Sequence, residues 1–219
     1  MFDFLKYNKT HFSAGGLRNP RKSIFGSNRQ IVDTRFVAPL RRDNRDICIR
    51  TSDQGTSFNC AAYSTAGFIE VTNWKKNHYP SQIDPDPIYI GAKKLDGDDN
   101  SGTTLEHAVE SALSLNLISG DLQYIENRVN DIKFAIHQYD VFIAGFDITP
   151  EWNSVTPTGR ISSNNSSVYM GGHAVLVCGY DQEGIYLQNS WGEFWGLYGF
   201  GLLSWEQVHD QFCYGLVIV

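Results

Sequence analysis

The chain of 219 residues contains no apolar run approaching the roughly 20 residues of a membrane-spanning helix, so no span is expected. Its start, Met1-Phe2-Asp3-Phe4-Leu5-Lys6, lacks a basic segment followed by an apolar one, so no secretory leader is expected. Only four cysteines are present, too few for a disulfide scaffold at this length. A reducing, cytoplasmic location is the expectation, with non-classical export as an effector left open. His11, His78, His107, His137 and His209 form no ligand spacing with a cysteine or carboxylate, so no metal site is argued. No phosphate-cradling glycine loop occurs; Gly91, Gly97 and Gly102 read as turn glycines. No cofactor is called for.

What the chain has is a hydrophobic content of 42% and an aromatic content of 13%, enough for a sizeable core. Its net charge of −6 is unevenly spread. Residues 1–50 carry eleven Lys/Arg against four Asp/Glu, and the remainder carries seven against twenty. A basic leader can bind nucleic acid or an anionic surface. This one shows no stacked-aromatic pattern of a nucleic-acid module, so a solvated arm or one docked on the acidic body is the better reading, and no nucleic-acid partner is expected.

Residues 1–30, rich in Gly, Asn, Ser, Arg and Lys without a period, read as a loosely structured extension. Patterning starts at Ile31-Val32-Asp33-Thr34-Arg35 and continues through 219. A helix is expected from about Ser57, with Tyr63, Ala66 or Gly67, Ile69, Val71 and Trp74 on its apolar stripe and Lys75-Lys76 at its end. Pro85 to Lys94 gives a second helix, capped by Asp84 or Asp86. Thr103-Thr104-Leu105-Glu106 fits a capping box with Thr103 as cap, ahead of a helix to about Asn116. A further helix covers Glu126 to Gln138. Val141 to Phe146 reads as a buried strand, 151–171 as a long polar loop, and Ala174–Cys178 and Ile185–Gln188 as strands joined at Asp181-Gln182-Glu183-Gly184. Tyr198 to Leu203 is another strand. The expected class is α+β: a helical half over about 53–138 packed on an antiparallel β half over about 139–219, with a cleft between.

Three residue types suited to acyl transfer come from separate stretches. Cys60 falls at the first turn of a predicted helix, where unpaired N–H groups and the helix dipole stabilise a thiolate. His173 opens an apolar strand after Gly171-Gly172. Asn189 closes the next hairpin arm sixteen residues later, placed to accept from the His173 ring across the antiparallel pair. Trp191 is placed to cover that bond. Gln54, before a Gly turn, can bring its side-chain N–H₂ beside the Cys60 N–H to bind an oxyanion. Each residue alone has a plainer account as a buried thiol, a satisfied strand-end histidine or a core tryptophan. Cys178 and Cys213 are read as buried structural thiols, and Cys48 is left open.

Gln54 and Cys60 with five residues between, Gly172-His173-Ala174, and Asn189-Ser190-Trp191-Gly192 followed by Trp195-Gly196 resemble the papain-like cysteine peptidases. The similarity is greatest to the bacterial branch that lacks a long propeptide, and Ile88 to Gly97, Ser101 to Thr104 and Val32 to Arg35 resemble it too. The match covers roughly residues 31–206. The resemblance implies a papain-like fold and a cysteine endopeptidase acting on a protein or peptide. In that reading Cys60 is the nucleophile, His173 the base and then acid, Asn189 the orienting amide and Gln54 part of the oxyanion hole. Gly102 and Gly172 flank the substrate backbone, and Ala174 helps line a side-chain pocket. Cys60 and His173 are expected as an ion pair near neutral pH.

The surroundings of the nucleophile depart from the family pattern. Ser57 stands where a disulfide cysteine is usual, Phe58 replaces a cleft-wall glycine, narrowing the cleft, and Ala61 replaces an aromatic. The interval from Cys60 to His173 is 113 residues, shorter than the family's spacing of about 130 or more. Two other functions use the same pattern: acyl transfer to an amine, as in transglutaminase-like or peptide-ligating enzymes, and a non-catalytic binding module. Asp96-Gly97-Asp98-Asp99-Asn100-Ser101-Gly102 resembles a calcium loop, but Ser101 fills its glycine position and His107 its closing glutamate position. An acidic cleft rim is the simpler reading.

Overall fold

The computed structural model describes residues 35–49, 51–162 and 168–219. The extension 1–30 and the start of the patterned region lie outside the described residues. Among the described residues a sheet runs in the order β2-β7-β3-β4-β5-β6, with β1 paired to β4. Its strands are β1 (Arg42–Asp43), β2 (Leu122–Ile125), β3 (Phe142–Ile148), β4 (Gly171–Tyr180), β5 (Gly184–Gln188), β6 (Phe200–Ser204) and β7 (Phe212–Ile218). Every pairing is antiparallel. The helices are α1 (Cys60–Asn77), α2 (Pro85–Asp96), α3 (Leu105–Ser114), α4 (Val129–Tyr139) and α5 (Trp205–Gln211).

All ten residues of β4 are buried. A strand covered on both faces reads as a near-continuous apolar run, which is why Ala174–Cys178 was legible as a strand. α1 packs against β4 and is itself buried over most of its first half, including Cys60, Ala61, Ala62, Ser64, Thr65 and Ala66. The single apolar stripe expected for α1 is therefore corrected: Tyr63 and Trp74 are only half-buried, and small residues allow close contact on several sides.

Local signals place the other helices. Pro85 sits at the first position of α2, where no N–H is needed, and Asp84 Oδ1 accepts from the Asp86 N–H at 3.0 Å. Gly97 ends α2 with φ 69°, the left-handed turn expected of it. Gly91 is no turn glycine. It lies inside α2, and a Cβ there would stand 2.1 Å from Ser111 Oγ, so its lack of a side chain lets α3 approach. The Thr103–Glu106 capping box is also overturned. Thr104 caps α3, accepting from the His107 N–H at 3.1 Å, while the buried Glu106 accepts from the Tyr214 hydroxyl at 2.9 Å instead of bonding back. α4 starts three residues later than expected, with Arg128 preceding it and paired to Asp131.

The chain end holds elements the sequence reading passed over. Ser204 and Gln207 form a true capping box for α5, with the Ser204 hydroxyl taking the Gln207 N–H and Gln207 Oε1 taking the Ser204 N–H. β7 then pairs with β3 on one side and with β2 on the other, so a strand from the expected helical half completes the sheet.

Candidate active site

α1 carries Cys60 as its first residue, and its packing on β4 sets that thiol against the start of the strand. Both Cys60 and His173 are fully buried. Burial is the largest influence on the Cys60 thiol and pushes it up to about 11, opposed by the backbone N–H groups of Ala174, Ala61 and Cys60. The Ala174 amide follows directly on His173, which places the thiol beside that residue. No carboxylate lies in the first turn of α1 to oppose an anion.

His173 Nε2 lies 2.8 Å from Asn189 Oδ1. The same oxygen accepts the backbone N–H of Ser190 at 2.8 Å. A backbone N–H can only donate, so this bond fixes which end of the Asn189 amide is oxygen. Asn189 Oδ1 can only accept, so His173 Nε2 carries a proton. In the neutral ring Nδ1 then holds a lone pair, and Nδ1 is buried without a hydrogen-bond partner among the described residues. The two residues meet diagonally. Direct pairing of β4 and β5 ends at Leu176↔Gln188, one residue short of Asn189.

Burial draws the His173 imidazole down to about 4, against the raising effect of its bond to Asn189. Burial thus opposes both charges of the ion pair expected near neutral pH. The resting environment favours the neutral thiol and the neutral ring, because neither charge is solvated.

Aromatic rings enclose the imidazole. The Trp191 ring lies 4.7 Å from the His173 ring between centroids, and Trp152 meets His173 edge-on at 6.1 Å. Trp152 stacks on Trp195 at 6.3 Å. Its indole N–H donates to Gln211 Oε1 at 2.8 Å, and its carbonyl accepts from Trp195 Nε1 at 2.8 Å. Sequence reasoning missed Trp152, which sits inside the stretch read as a polar loop; a lone tryptophan among Ser, Thr and Asn was the available signal. The glycines of the Asn-Ser-Trp-Gly block have a steric basis as well. Gly192 and Gly196 have φ of 81° and 59°, and a Cβ on Gly196 would lie 2.3 Å from the Phe200 carbonyl oxygen.

Gln54 is buried and tied to the Asn189 segment. Its Oε1 accepts the Ser190 hydroxyl at 2.6 Å, and its backbone N–H donates to the Ser190 carbonyl at 2.8 Å. Its Nε2 donates to the Ser57 carbonyl at 2.7 Å. Next to it, Asp53 bridges to Trp191, and the Gly192 N–H donates to Ser52 O at 2.9 Å. The structure thereby brings Gln54, Cys60, His173, Asn189 and Trp191 together. Ala174 is fully buried, Gly102 and Gly172 are buried, and Phe58 is 37% exposed. Gly102 has its N–H turned to the Tyr89 hydroxyl at 3.3 Å and its carbonyl to Lys93 Nζ at 3.2 Å. Of the remaining thiols, Cys48 and Cys178 are buried and Cys213 is half-buried; all are free.

An uncharacterized peptidase C1-like protein of Acanthamoeba polyphaga mimivirus is 32% identical over 228 residues, covering 83% of this chain and 71% of that protein. The chain belongs to the papain-like cysteine peptidase family. Solved structures share its fold. Xylellain, a cysteine protease from Xylella fastidiosa, superposes with a TM-score of 0.73 at 19% identity, over 92% of this chain and 98% of that one. Procathepsin B of Trypanosoma congolense gives 0.71 at 15% identity, over 94% and 86%. No family model matches the chain. Among the described residues no helix is long and apolar enough to cross a membrane, and no group of side chains is suited to hold a metal ion.

Proposed function

We propose that this papain-like chain hydrolyses peptide bonds through a thioester on Cys60, with His173 as base and acid and Asn189 as the orienting amide. The observation that carries the reading is the shared Asn189 Oδ1, which leaves His173 with a basic Nδ1. In the first step the Cys60 S–H proton passes to Nδ1 as the sulfur bonds to the substrate carbonyl carbon. The resulting oxyanion is received by the Cys60 N–H and the Gln54 side-chain amide. Collapse breaks the C–N bond, and His173 returns its proton to the leaving amine. Water, deprotonated by His173, then attacks the thioester, releasing the acid and the thiol.

Because burial opposes both charges, proton transfer belongs with substrate attack rather than with the resting state. Gly102, Gly172, Ala174 and Phe58 flank the substrate in this reading, with Phe58 narrowing the wall. The test is cleavage of a peptide library by the wild type and by Cys60→Ala, read by mass spectrometry with and without an added primary amine. Cleavage to free acids that Cys60→Ala lacks supports peptidase action. Products carrying the amine in place of water would move the assignment to acyl transfer, and no Cys60-dependent product would remove it.

A further inference from the structure

The loop that resembles a calcium site already wraps a cation. Lys93 Nζ lies 2.8 Å from Asp96 Oδ2, 3.4 Å from Asp98 Oδ1, 2.7 Å from the Asn100 carbonyl and 3.2 Å from the Gly102 carbonyl. These are alternate residues running from the last residue of α2 through the loop after it, two giving carboxylate oxygens and two giving backbone carbonyls. That arrangement of oxygens around a point charge is what a calcium loop offers its ion. An ammonium is a compact point charge that can donate in three directions. The loop oxygens are thereby committed to a group that the chain itself supplies.

The far side of the loop is held as firmly. The Asp96 side chain is 2% exposed. Its Oδ1 takes the Thr103 hydroxyl at 3.1 Å and His107 Nδ1 at 2.6 Å. Burial would raise the Asp96 carboxyl, but the bonds from Lys93, His107 and Thr103 outweigh it and hold the group below its ordinary range. Asp98 Oδ1 also accepts the Asn100 N–H at 3.0 Å, closing the turn. The end of α2, the loop and the first turn of α3 are thus joined through one ammonium and one carboxylate, and Gly102 is the last residue the ammonium reaches.

We propose that Lys93 is a positioning residue for substrate binding: its ammonium is the internal cation that shapes the 96–102 loop and sets Gly102 at the cleft rim. The proposal rests on the peptidase reading, in which Gly102 flanks the substrate backbone. Lys93 touches no reacting atom, so its effect falls on binding of an extended substrate and spares the intrinsic reactivity of Cys60.

The experiment compares two alkylating probes on the full chain. Iodoacetamide needs only the Cys60 thiol, whereas a peptidyl epoxide with two residues on its acyl side also needs the rim. In Lys93→Met the epoxide should modify Cys60 about tenfold more slowly, the loss expected for charge-assisted hydrogen bonds, with iodoacetamide labelling within about twofold of wild type. Peptide hydrolysis should show KM raised by a similar factor with kcat nearly constant. If Lys93→Met does not accumulate as folded protein, Lys93→Gln, one atom shorter and uncharged but still a donor, carries the same expectation.

Epoxide labelling equal to wild type, or both probes slowed in parallel, would overturn the proposal. A peptide KM that depends on added calcium in the wild type would also overturn it, since the loop would then take a metal in place of Lys93. A wild type that reacts with iodoacetamide at Cys60 but neither takes the epoxide nor cleaves peptides would end the peptidase reading itself, and the proposal with it.

Discussion

The Ser190 hydroxyl donates to Gln54 Oε1 at 2.6 Å, joining the segment before Cys60 to the one that holds Asn189. The bond leaves the Gln54 amide nitrogen pointing the other way, toward Ser57 and the start of α1. A substitution at Ser190 should therefore act on catalysis through Gln54. Ser190→Ala is expected to lower kcat by about tenfold, the worth of one buried hydrogen bond. Gln54→Ala, which removes the proposed oxyanion donor outright, should cost about a hundredfold or more. Steady-state hydrolysis of one peptide by both variants checks the order; a larger loss in Ser190→Ala would contradict it.

Asn189→Ala removes the acceptor that sets the His173 tautomer. The bond also raises the imidazole pKa, so losing it makes the charged ring harder to form. We expect kcat/KM to fall by about 10–100-fold, the range for hydrogen bonds to a group that becomes charged. The acid limb of the pH–rate profile should not move to higher pH. An upward shift would show that Asn189 does not support the imidazolium.

Burial of His173 has a consequence for stability. Its ordinary pKa of 6.5 falls to about 4 in the folded chain. Between those values the unfolded chain binds a proton that the folded chain refuses, so stability declines as pH drops from about 6.5 to about 4 and this contribution then levels off. The full penalty is about 3 kcal/mol. Thermal melts at pH 7 and pH 4.5 should show a smaller loss for His173→Gln than for wild type. Equal losses would mean that His173 titrates at its ordinary value when folded.

Gly196→Ala should be among the more damaging small substitutions. It places a Cβ 2.3 Å from the Phe200 carbonyl at a residue with φ 59°. A cost of about 1–3 kcal/mol is expected, which for a chain of this size lowers Tm by about 5 °C or more at the upper end. A melting temperature unchanged within about a degree would contradict the close approach.

Chemistry that repeats in local spacing was legible in the sequence. The Pro85 start and Gly97 stop of α2 and the apolar run of β4 follow from short-range rules, whereas Cys60, His173 and Asn189, far apart in the chain, were singled out by the resemblance of their surrounding motifs to a family, and the structure sets His173 against Asn189. What escaped depends on partners distant in sequence. Glu106 looked like a capping residue because its spacing from Thr103 was right, yet its partner is Tyr214, 108 positions away. Gly91 looked like a turn because nothing in the sequence announces that Ser111 will press against it. The cation of the 96–102 loop lies three residues ahead of the first oxygen that binds it, so the loop read as an acidic rim. Trp152 was hidden by the polar composition around it, although its ring packs edge-on against the imidazole.

In the proposed reaction the Cys60 sulfur carries the acyl group. Rapid acid quench of the chain during turnover of an activated ester, followed by intact-mass analysis and peptide mapping, tests it directly. The expected result is a gain equal to the acyl group, mapped to Cys60, absent in Cys60→Ala and retained in Cys178→Ala. Turnover of the ester by the wild type without that adduct on Cys60 would contradict it.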